Sequence, residues 1–455
     1  MPGKNDKPRV KLSKEMLFAL VEAIRWSERI KPSQHAKREA FKKYGVTSHA
    51  CEPMLTAIFY AVMKKMGVLD KIIEDVTGVK PVYVLDPWLR AALRLATEIL
   101  VYRKPTDGTR RLLKKSIAEF IGRKSHPYIG MFYYKVLDSI ENYEFKPIDK
   151  TEEYEFKYML PRWYIEKIIE LVGEEEAKKI FSAFDKPLPI SVRVNTLKTN
   201  VMKVIEELTR DVEWVEQSSV VETVLRFPGP YDFEKSRLWR KGHIIIQEEA
   251  AAVASIILDP KPGEYVVDLA AAPGGKTEHM AELMRNKGII HAFDIDDLRI
   301  KRMRDLLERT GITIVEIHKI DAREAPEILG KEVADKVLLD APCTSDGTIM
   351  KNPDLRWRIR PEGVEEFSRL QYELLEAGWK LLKPGGRLLY CTCSLLREEN
   401  ENIIEKFLNE HKDAKLVPLN KPYSPGFLPG TMRAWPHKHK TIGFFYALLE
   451  KQEHM

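Results

Sequence analysis

Two cysteines fifty positions apart, Cys343 and Cys393, are the residues of this chain best placed by type to do chemistry together. Cys343 closes the run Leu338-Leu339-Asp340-Ala341-Pro342-Cys343, which ends on a carboxylate, a rigid proline and a thiol. Cys393 closes Leu388-Leu389-Tyr390-Cys391-Thr392-Cys393. Short aliphatic runs of this kind predict buried parallel strands. Thiols at their C-terminal ends then lie where open α/β sheets bind ligands. Free cysteine is often an ordinary core residue. The Asp-x-Pro-Cys context and the strand-end placement argue against that here, and two thiols with a carboxylate on one sheet edge predict covalent chemistry.

A second set of residues points to a nucleoside cofactor. The strand Tyr265–Leu269 runs into Ala270-Ala271-Ala272-Pro273-Gly274-Gly275-Lys276-Thr277 and then a helix. Small residues and glycine let backbone approach a ligand at a helix N-terminus. The spacing is neither a Walker A loop nor the Gly-x-Gly-x-x-Gly of dinucleotide sites. The next strand ends at Asp294, about twenty residues on, where an adenosine ribose needs its hydroxyls accepted. The third leads to Asp321. Either acid alone is an ordinary cap or turn residue. A glycine loop and two acids at successive strand ends suit a nucleoside without a pyrophosphate, for which S-adenosyl-L-methionine is the simplest candidate.

These residues need a sheet to hold them. Strands are expected at Tyr265–Leu269, Gly288–Asp294, Thr313–His318, Lys336–Asp340, Arg387–Cys391 and Phe444–Leu449, most of them separated by helices of ten or more residues. Such alternation predicts a doubly wound, largely parallel α/β sheet over residues 241–455. Residues 159–240 read as a small α/β insert, with helices at Trp163–Leu171 and Glu174–Phe184, a strand at Ile190–Asn195 and a helix at Asn200–Thr209. Residues 1–148 read as all-helical, with Asp86-Pro87 as a helix cap and first turn, and the charged stretch Glu144 to Tyr158 reads as a linker.

Composition narrows the function class. Residues 1–150 carry 29 Lys+Arg against 17 Asp+Glu, a net of +12, so the remainder is net −6 within the total of +6. A basic helical module ahead of an acidic enzyme fits a nucleic-acid partner. Four cysteines in 455 residues do not make a disulfide framework, and a reducing cytoplasm is expected. Met1 to Lys7 lead into no apolar signal core, and no apolar stretch is long enough to span a bilayer. No metal site and no membrane partner are expected, and the chain is expected to be a monomer.

Residues from about 160 to 451 resemble the Nop/Sun group of RNA (cytosine-5) methyltransferases, especially the Fmu-type rRNA enzymes. The blocks occur in order: Arg193-Val194-Asn195-Thr196; Gly242 with Gln247-Glu248; Ala271 to Thr277; Asp294 with Arg299; Asp321-Ala322-Arg323; Asp340-Ala341-Pro342-Cys343-Thr344 with Gly347; Pro353-Asp354 with Trp357; Thr392-Cys393-Ser394 with Glu399-Asn400; and Arg433, Pro436 and Gly443-Phe444-Phe445. The helical third is similar to the NusB-like RNA-binding domain of Fmu-type members, through Leu85-Asp86-Pro87-Trp88-Leu89-Arg90 and the apolar helices around it. Departures from the family pattern are Cys391, Ala270 and Asp346.

The resemblance implies an S-adenosyl-L-methionine-dependent RNA methyltransferase forming 5-methylcytosine. Cys393 is then the nucleophile, Cys343 the thiol that assists release, and Asp340 the group that neutralises and positions the base, with Lys276 favouring the thiolate. Ala270, Ala271, Ala272, Pro273, Gly274, Gly275, Lys276, Asp294, Arg299, Asp321 and Asp340 would bind the cofactor. Small-subunit rRNA is the expected substrate, with tRNA as the alternative. Arg356, Arg358 and Arg360 are candidates for phosphate contact or for a plain solvated face. Two other readings stay open. A DNA cytosine-5 methyltransferase would use Cys343 as nucleophile, and a non-catalytic RNA-binding assembly factor would need neither thiol. Cys391 is assigned no role.

Overall fold

The computed structural model describes residues 9–30, 33–47 and 51–453; the charged Met1–Lys7 stretch lies outside them. The chain forms two compact units. One runs to Glu170 and takes in Asn352–Arg358, and the other is built from Leu171–Lys351 and the residues from Ile359 onward.

The first unit is helical, with long helices at Lys14–Ser27, Glu52–Thr77, Pro87–Tyr102, Asp107–Lys124 and Pro127–Glu141. The Asp86 cap forms as expected, its carboxylate accepting from the backbone N–H of Trp88 and Leu89 ahead of Pro87. The helix it starts is buried over almost its whole length. Its two buried arginines are paired, Arg94 with Asp70 at 2.6 Å and Arg90 with Glu28 at 2.6 Å, because a buried cation without a partner is costly.

Two expectations need correcting in this unit. The stretch expected as a linker holds a helix, Lys150–Tyr158, capped by Asp149 and burying Tyr154, Phe156 and Tyr158. Its aromatics at every second position carry no helical period, so the high charge dominated the reading. The phosphate-contact reading of the arginine run also fails at Arg356. That side chain is 1% exposed and donates to the Tyr158 carbonyl at 2.6 Å. Arg358 is paired with Asp354 at 2.8 Å. Beside them the Trp357 indole donates to the Lys64 carbonyl at 2.8 Å and lies where a Cβ on Gly67 would fall.

The second unit starts with the insert. Its four-stranded sheet runs in the order Glu216–Gln217, Val224–Phe227, Ile190–Val194, Ile244–Ile246, all antiparallel. The helix Val201–Leu208 packs Val204 and Leu208 against Val192, Val194, Leu225 and Phe227.

The main sheet has nine strands: β1 (Tyr265–Asp268), β2 (Ile289–Asp294), β3 (Val315–Lys319), β4 (Ala334–Asp340), β5 (Leu382–Thr392), β6 (Ala414–Val417), β7 (Ser424–Pro425), β8 (Met432–Ala434) and β9 (Phe444–Lys451). The order is β7-β8-β9-β5-β4-β1-β2-β3, with β6 also on β9. β5, β4, β1, β2 and β3 are mutually parallel, and β9 and its neighbours are antiparallel. All six expected strands form. β6, β7 and β8 are additions of two to four residues, too short for an alternation to register. β1, β2, β4 and β5 carry buried residues on both faces, whereas the edge strand β3 is only partly covered, with Glu316 and Lys319 exposed. Val266, Ile290, Ala292, Leu338 and Leu389 face one core, and Val267, Phe293, Val337, Leu339, Leu388 and Tyr390 face the other. Helices therefore cover both sides of the sheet, as a doubly wound fold requires. Among the described residues no helix is long and apolar enough to cross a membrane.

Candidate active site

The chain winds outward from β1 through β2 to β3, then returns to place β4 on the other side of β1. The reversal leaves a crevice at the carboxyl ends of β1 and β4, the position at which open α/β sheets take ligands. The glycine loop leaves β1 there, and the Asp340–Cys343 segment leaves β4 there.

Strand register brings the thiols together. Asp340 on β4 lies opposite Cys391 on β5, and pairing continues past the strand ends. The Ala341 N–H donates to the Cys391 carbonyl at 2.9 Å, and the Gly347 N–H donates to the Cys393 carbonyl at 2.9 Å. Gly347 must be glycine for this, because a Cβ there would lie 2.5 Å from the Gly443 carbonyl and 2.7 Å from that of Cys393. The two loops then hold Cys343 Sγ and Cys393 Sγ 3.4 Å apart. Lys276 Nζ, from the end of the glycine loop, donates to Asp340 Oδ2 at 2.5 Å. On the other oxygen of Asp340, Cys391 Sγ approaches to 3.6 Å, so this cysteine touches the site although the sequence assigned it no part.

The electrostatics differ among these groups. The Cys343 thiol is pushed up, first by its hydrogen bond to Cys393 and then by burial. The Cys391 thiol is pushed up by burial and then by the Asp340 carboxylate. For Lys276, burial works against the ammonium, but Asp340 and the neighbouring thiols outweigh it and hold the group protonated. The site is thus a partly buried cation set among one carboxylate and three sulfurs.

A polar brace fixes both thiol loops. Glu399 accepts from the Thr344 N–H at 2.9 Å, from the Thr344 hydroxyl at 2.5 Å and from Gln371 at 3.1 Å, while Gln371 also donates to the Pro342 carbonyl at 2.8 Å. Burial, with Asp346 next in weight, pushes the Glu399 carboxyl up to about 7. Asp346 is itself buried and accepts from the Leu395 N–H at 2.9 Å. Asn400 accepts from the Thr392 hydroxyl at 2.6 Å and donates to the Ser394 carbonyl at 2.9 Å. Arg433 pairs with Glu401 at 2.7 Å and donates to the Leu395 carbonyl at 2.8 Å. Glu399, Asn400 and Arg433 stand in the sequence motifs without a stated task; their task is to hold the turns that carry Cys343 and Cys393.

The cofactor loop is held differently. Gly274 has φ +100°, and a Cβ there would lie 2.7 Å from Met303 Cγ. Asp294 Oδ2 accepts from the Ala272 N–H at 3.1 Å and Oδ1 from the Asp296 N–H at 3.0 Å. Arg299 donates to the Ala272 carbonyl and lies 3.7 Å from Asp294. Asp294, Arg299 and the loop from Ala270 to Lys276 are therefore one contiguous group. The Asp321 carboxylate is engaged by Arg323 at 2.6 Å and held low by that guanidinium. Sequence reasoning missed Asp268. It accepts from the Thr277 hydroxyl at 2.7 Å, has its other oxygen buried without a hydrogen-bond partner, and is pushed up to about 7 by burial. Its place at the end of β1, directly before the loop, was the available signal. Also missed was a cluster on the sheet face, His291, Glu316 and His318, where no metal site was expected.

Comparison with known proteins bears on this geometry. Residues 255–450 match the family described as 16S rRNA methyltransferase RsmB/F, and residues 160–234 match the ferredoxin-like domain of RsmF/B-like methyltransferases. The chain is 31% identical over 406 residues to the Synechocystis sp. protein named probable ribosomal RNA small subunit methyltransferase B, spanning 87% of this chain and 90% of that one. Among solved structures it is similar to PH0851, with a TM-score of 0.89 and 55% identity over 98% of this chain and 100% of that one. It is also similar to NSun6 from Pyrococcus horikoshii with SFG, with a TM-score of 0.60 and 28% identity over 65% of this chain and 99% of that one.

Proposed function

Because the chain belongs to the 16S rRNA methyltransferase RsmB/F family, we propose that it forms 5-methylcytosine in small-subunit rRNA through a covalent Cys393 adduct. S-adenosyl-L-methionine is the cofactor of this methyltransferase family and supplies a methyl group on a sulfonium. The observation that carries the proposal is the pair of thiols 3.4 Å apart at the crevice of the sheet, beside a partly buried Lys276–Asp340 pair.

The residues present fit the cofactor. The left-handed Gly274 and the small residues Ala270 to Gly275 leave backbone exposed to a ligand, and Asp294 is a carboxylate fastened to that same loop. Ala270 to Lys276, Asp294 and Arg299 would hold it, with Asp321 and Asp340 at the flanks.

Carbon 5 of cytosine is a poor nucleophile until a thiolate adds to carbon 6. Cys343, kept as a thiol by its bond to Cys393 and by burial, would point its S–H at the Cys393 sulfur. As the C6–S bond forms, negative charge builds on the ring. Asp340, held by the Lys276 ammonium, would face the Watson–Crick edge, and the positive charge of Lys276 offsets the charge that builds there. Once carbon 5 carries the methyl group, its proton passes to water at the crevice while the C6–S electron pair leaves with the Cys393 sulfur, which restores the aromatic ring. The Cys343 S–H then stabilises the departing Cys393 sulfur. The basic helical unit is a candidate RNA-binding surface in its own right, with Lys115, Arg123 and Lys135 among the residues lining a largely apolar groove that also includes Glu119, Met131 and Tyr134. The target base must be unpaired or flipped out to expose its ring faces. A reducing cytoplasm suits four free thiols, and nothing in this scheme requires a second copy of the chain.

Bisulfite mapping of rRNA and tRNA from cells with and without the protein tests the proposal. A cytosine in small-subunit rRNA should lose protection when the protein is absent. Loss confined to a tRNA position would keep the chemistry and change the substrate, and no change in either would reject the reaction.

A further inference from the structure

We propose that His291, Glu316 and His318 form a binding site for a zinc-class divalent cation, away from the catalytic crevice. His291 lies on β2, and Glu316 and His318 on the edge strand β3. Register places His291 opposite Glu316 and Phe293 opposite His318. Side chains two apart share a face, so all three donors emerge on the same side of the sheet. Their donor atoms lie within 4.8 Å of one another. His291 Nδ1 is 2.9 Å from His318 Nε2 and 3.5 Å from Glu316 Oε2.

That spacing is close to what a metal requires. Zinc–nitrogen bonds of about 2.0–2.1 Å in tetrahedral geometry put neighbouring donors roughly 3.3 Å apart. The His291–His318 pair therefore needs to open by only a few tenths of an ångström. Both rings are already oriented by aromatic neighbours, His291 against Tyr265 at 4.8 Å between centroids and His318 stacked on Phe293 at 4.6 Å. Fixed ligand orientation is what supporting contacts supply in metal sites. Two imidazoles and one carboxylate suit zinc, nickel or cobalt(II) rather than magnesium or calcium. The Glu316 side chain is 60% exposed, which gives the ion an entry path and leaves water in its remaining coordination position. A bound ion would cross-link β2 to β3, the strands that lead to Asp294 and Asp321, so its expected role is to rigidify the cofactor side of the sheet.

The test is a titration of the chelator-stripped full chain with Zn²⁺, and with Co²⁺ read by visible absorption. One ion per chain is expected, with a cobalt spectrum of nitrogen and oxygen ligation and no thiolate charge-transfer band. His318→Ala and the nearly isosteric Glu316→Gln should each weaken binding by about tenfold or more, with far-ultraviolet circular dichroism confirming that both still fold. Cys343→Ser/Cys393→Ser should bind as the parent does. Equal affinity in His318→Ala and the parent overturns the site. So do binding that disappears in the double cysteine variant, a thiolate band with Co²⁺, or no binding below millimolar Zn²⁺.

Discussion

The two edges of the catalytic crevice are built on different principles. On the thiol edge the reactive groups sit on turns immobilised by buried polar side chains, with Glu399, Asn400 and the Arg433–Glu401 pair each bonded to backbone of the Cys343 or Cys393 loop or its flanks. On the other edge the supporting contacts come from the groups proposed to bind the cofactor, since Asp294 and Arg299 hold the loop they would serve. A nucleophile of the kind proposed for Cys393, which would have to meet carbon 6 within a narrow angle, gains from a rigid support. A loop that must admit and release a cofactor each turnover gains from a support that can exchange partners. Damage should therefore divide accordingly, with large effects on chemistry and folding at the thiol edge and modest effects on affinity at the other.

The strongest contrast comes from the thiols. Cys393→Ala should lower methyl transfer by about 10⁴-fold or more, in line with loss of a nucleophile elsewhere. Cys343→Ala should cost roughly 10²–10³-fold in turnover and accumulate a protein–RNA adduct on denaturing gels. An adduct that persists in Cys393→Ala and vanishes in Cys343→Ala would exchange their roles. Arg433→Leu should destabilise the second unit by about 3–5 kcal/mol in denaturant melts, because it strands the buried Glu401 carboxylate; a loss below about 1 kcal/mol would show the brace to be ornamental.

Glu399 adds a pH signature. Its folded value is about 7 against 4.5 for an ordinary glutamate, so folding favours the neutral form. That contribution is complete below about pH 4.5 and is lost as pH rises through 7, on the order of 3 kcal/mol in all. Glu399→Gln should flatten the slope, and an unchanged profile would place the proton elsewhere. The cofactor edge should give the smallest effects. Asp294→Asn should weaken S-adenosyl-L-methionine binding by about tenfold, measured by calorimetry. Asp321→Asn, whose parent carboxylate is already committed to Arg323, should change it by less than about threefold. Equal losses would make the two acids partners after all.

Legibility in the sequence follows the range of the interactions. β1, β2, β4 and β5 announce themselves because burial on both faces leaves a continuous apolar run, and strand ends locate both thiols and the glycine loop without further information. The Asp86 cap is equally local. What stayed hidden depends on pairing between distant segments. That Cys391 faces Asp340 is a property of β4–β5 register, and no single-strand pattern contains it. Arg356 looked like a surface cation because charge is what a sequence displays, whereas its carbonyl partner, Tyr158, is 198 residues away. The histidine cluster was hidden for the same reason, since its members share a face only once β2 and β3 are paired.

The placement of Trp357 bears on how the chain comes to be folded at all. The helical unit begins the sequence, and its helices are synthesised first. Yet the Lys64 carbonyl and the flat surface at Gly67 receive their cover from a residue 293 positions later. At about 5–20 residues per second that cover is translated roughly 15–60 seconds behind the helix it seals. The nascent helical unit therefore spends that interval with an unfilled apolar notch, and a fragment ending at Glu170 would keep the notch permanently. A segment encoded far downstream, Asn352–Arg358, in this way supplies the last piece of the helical unit.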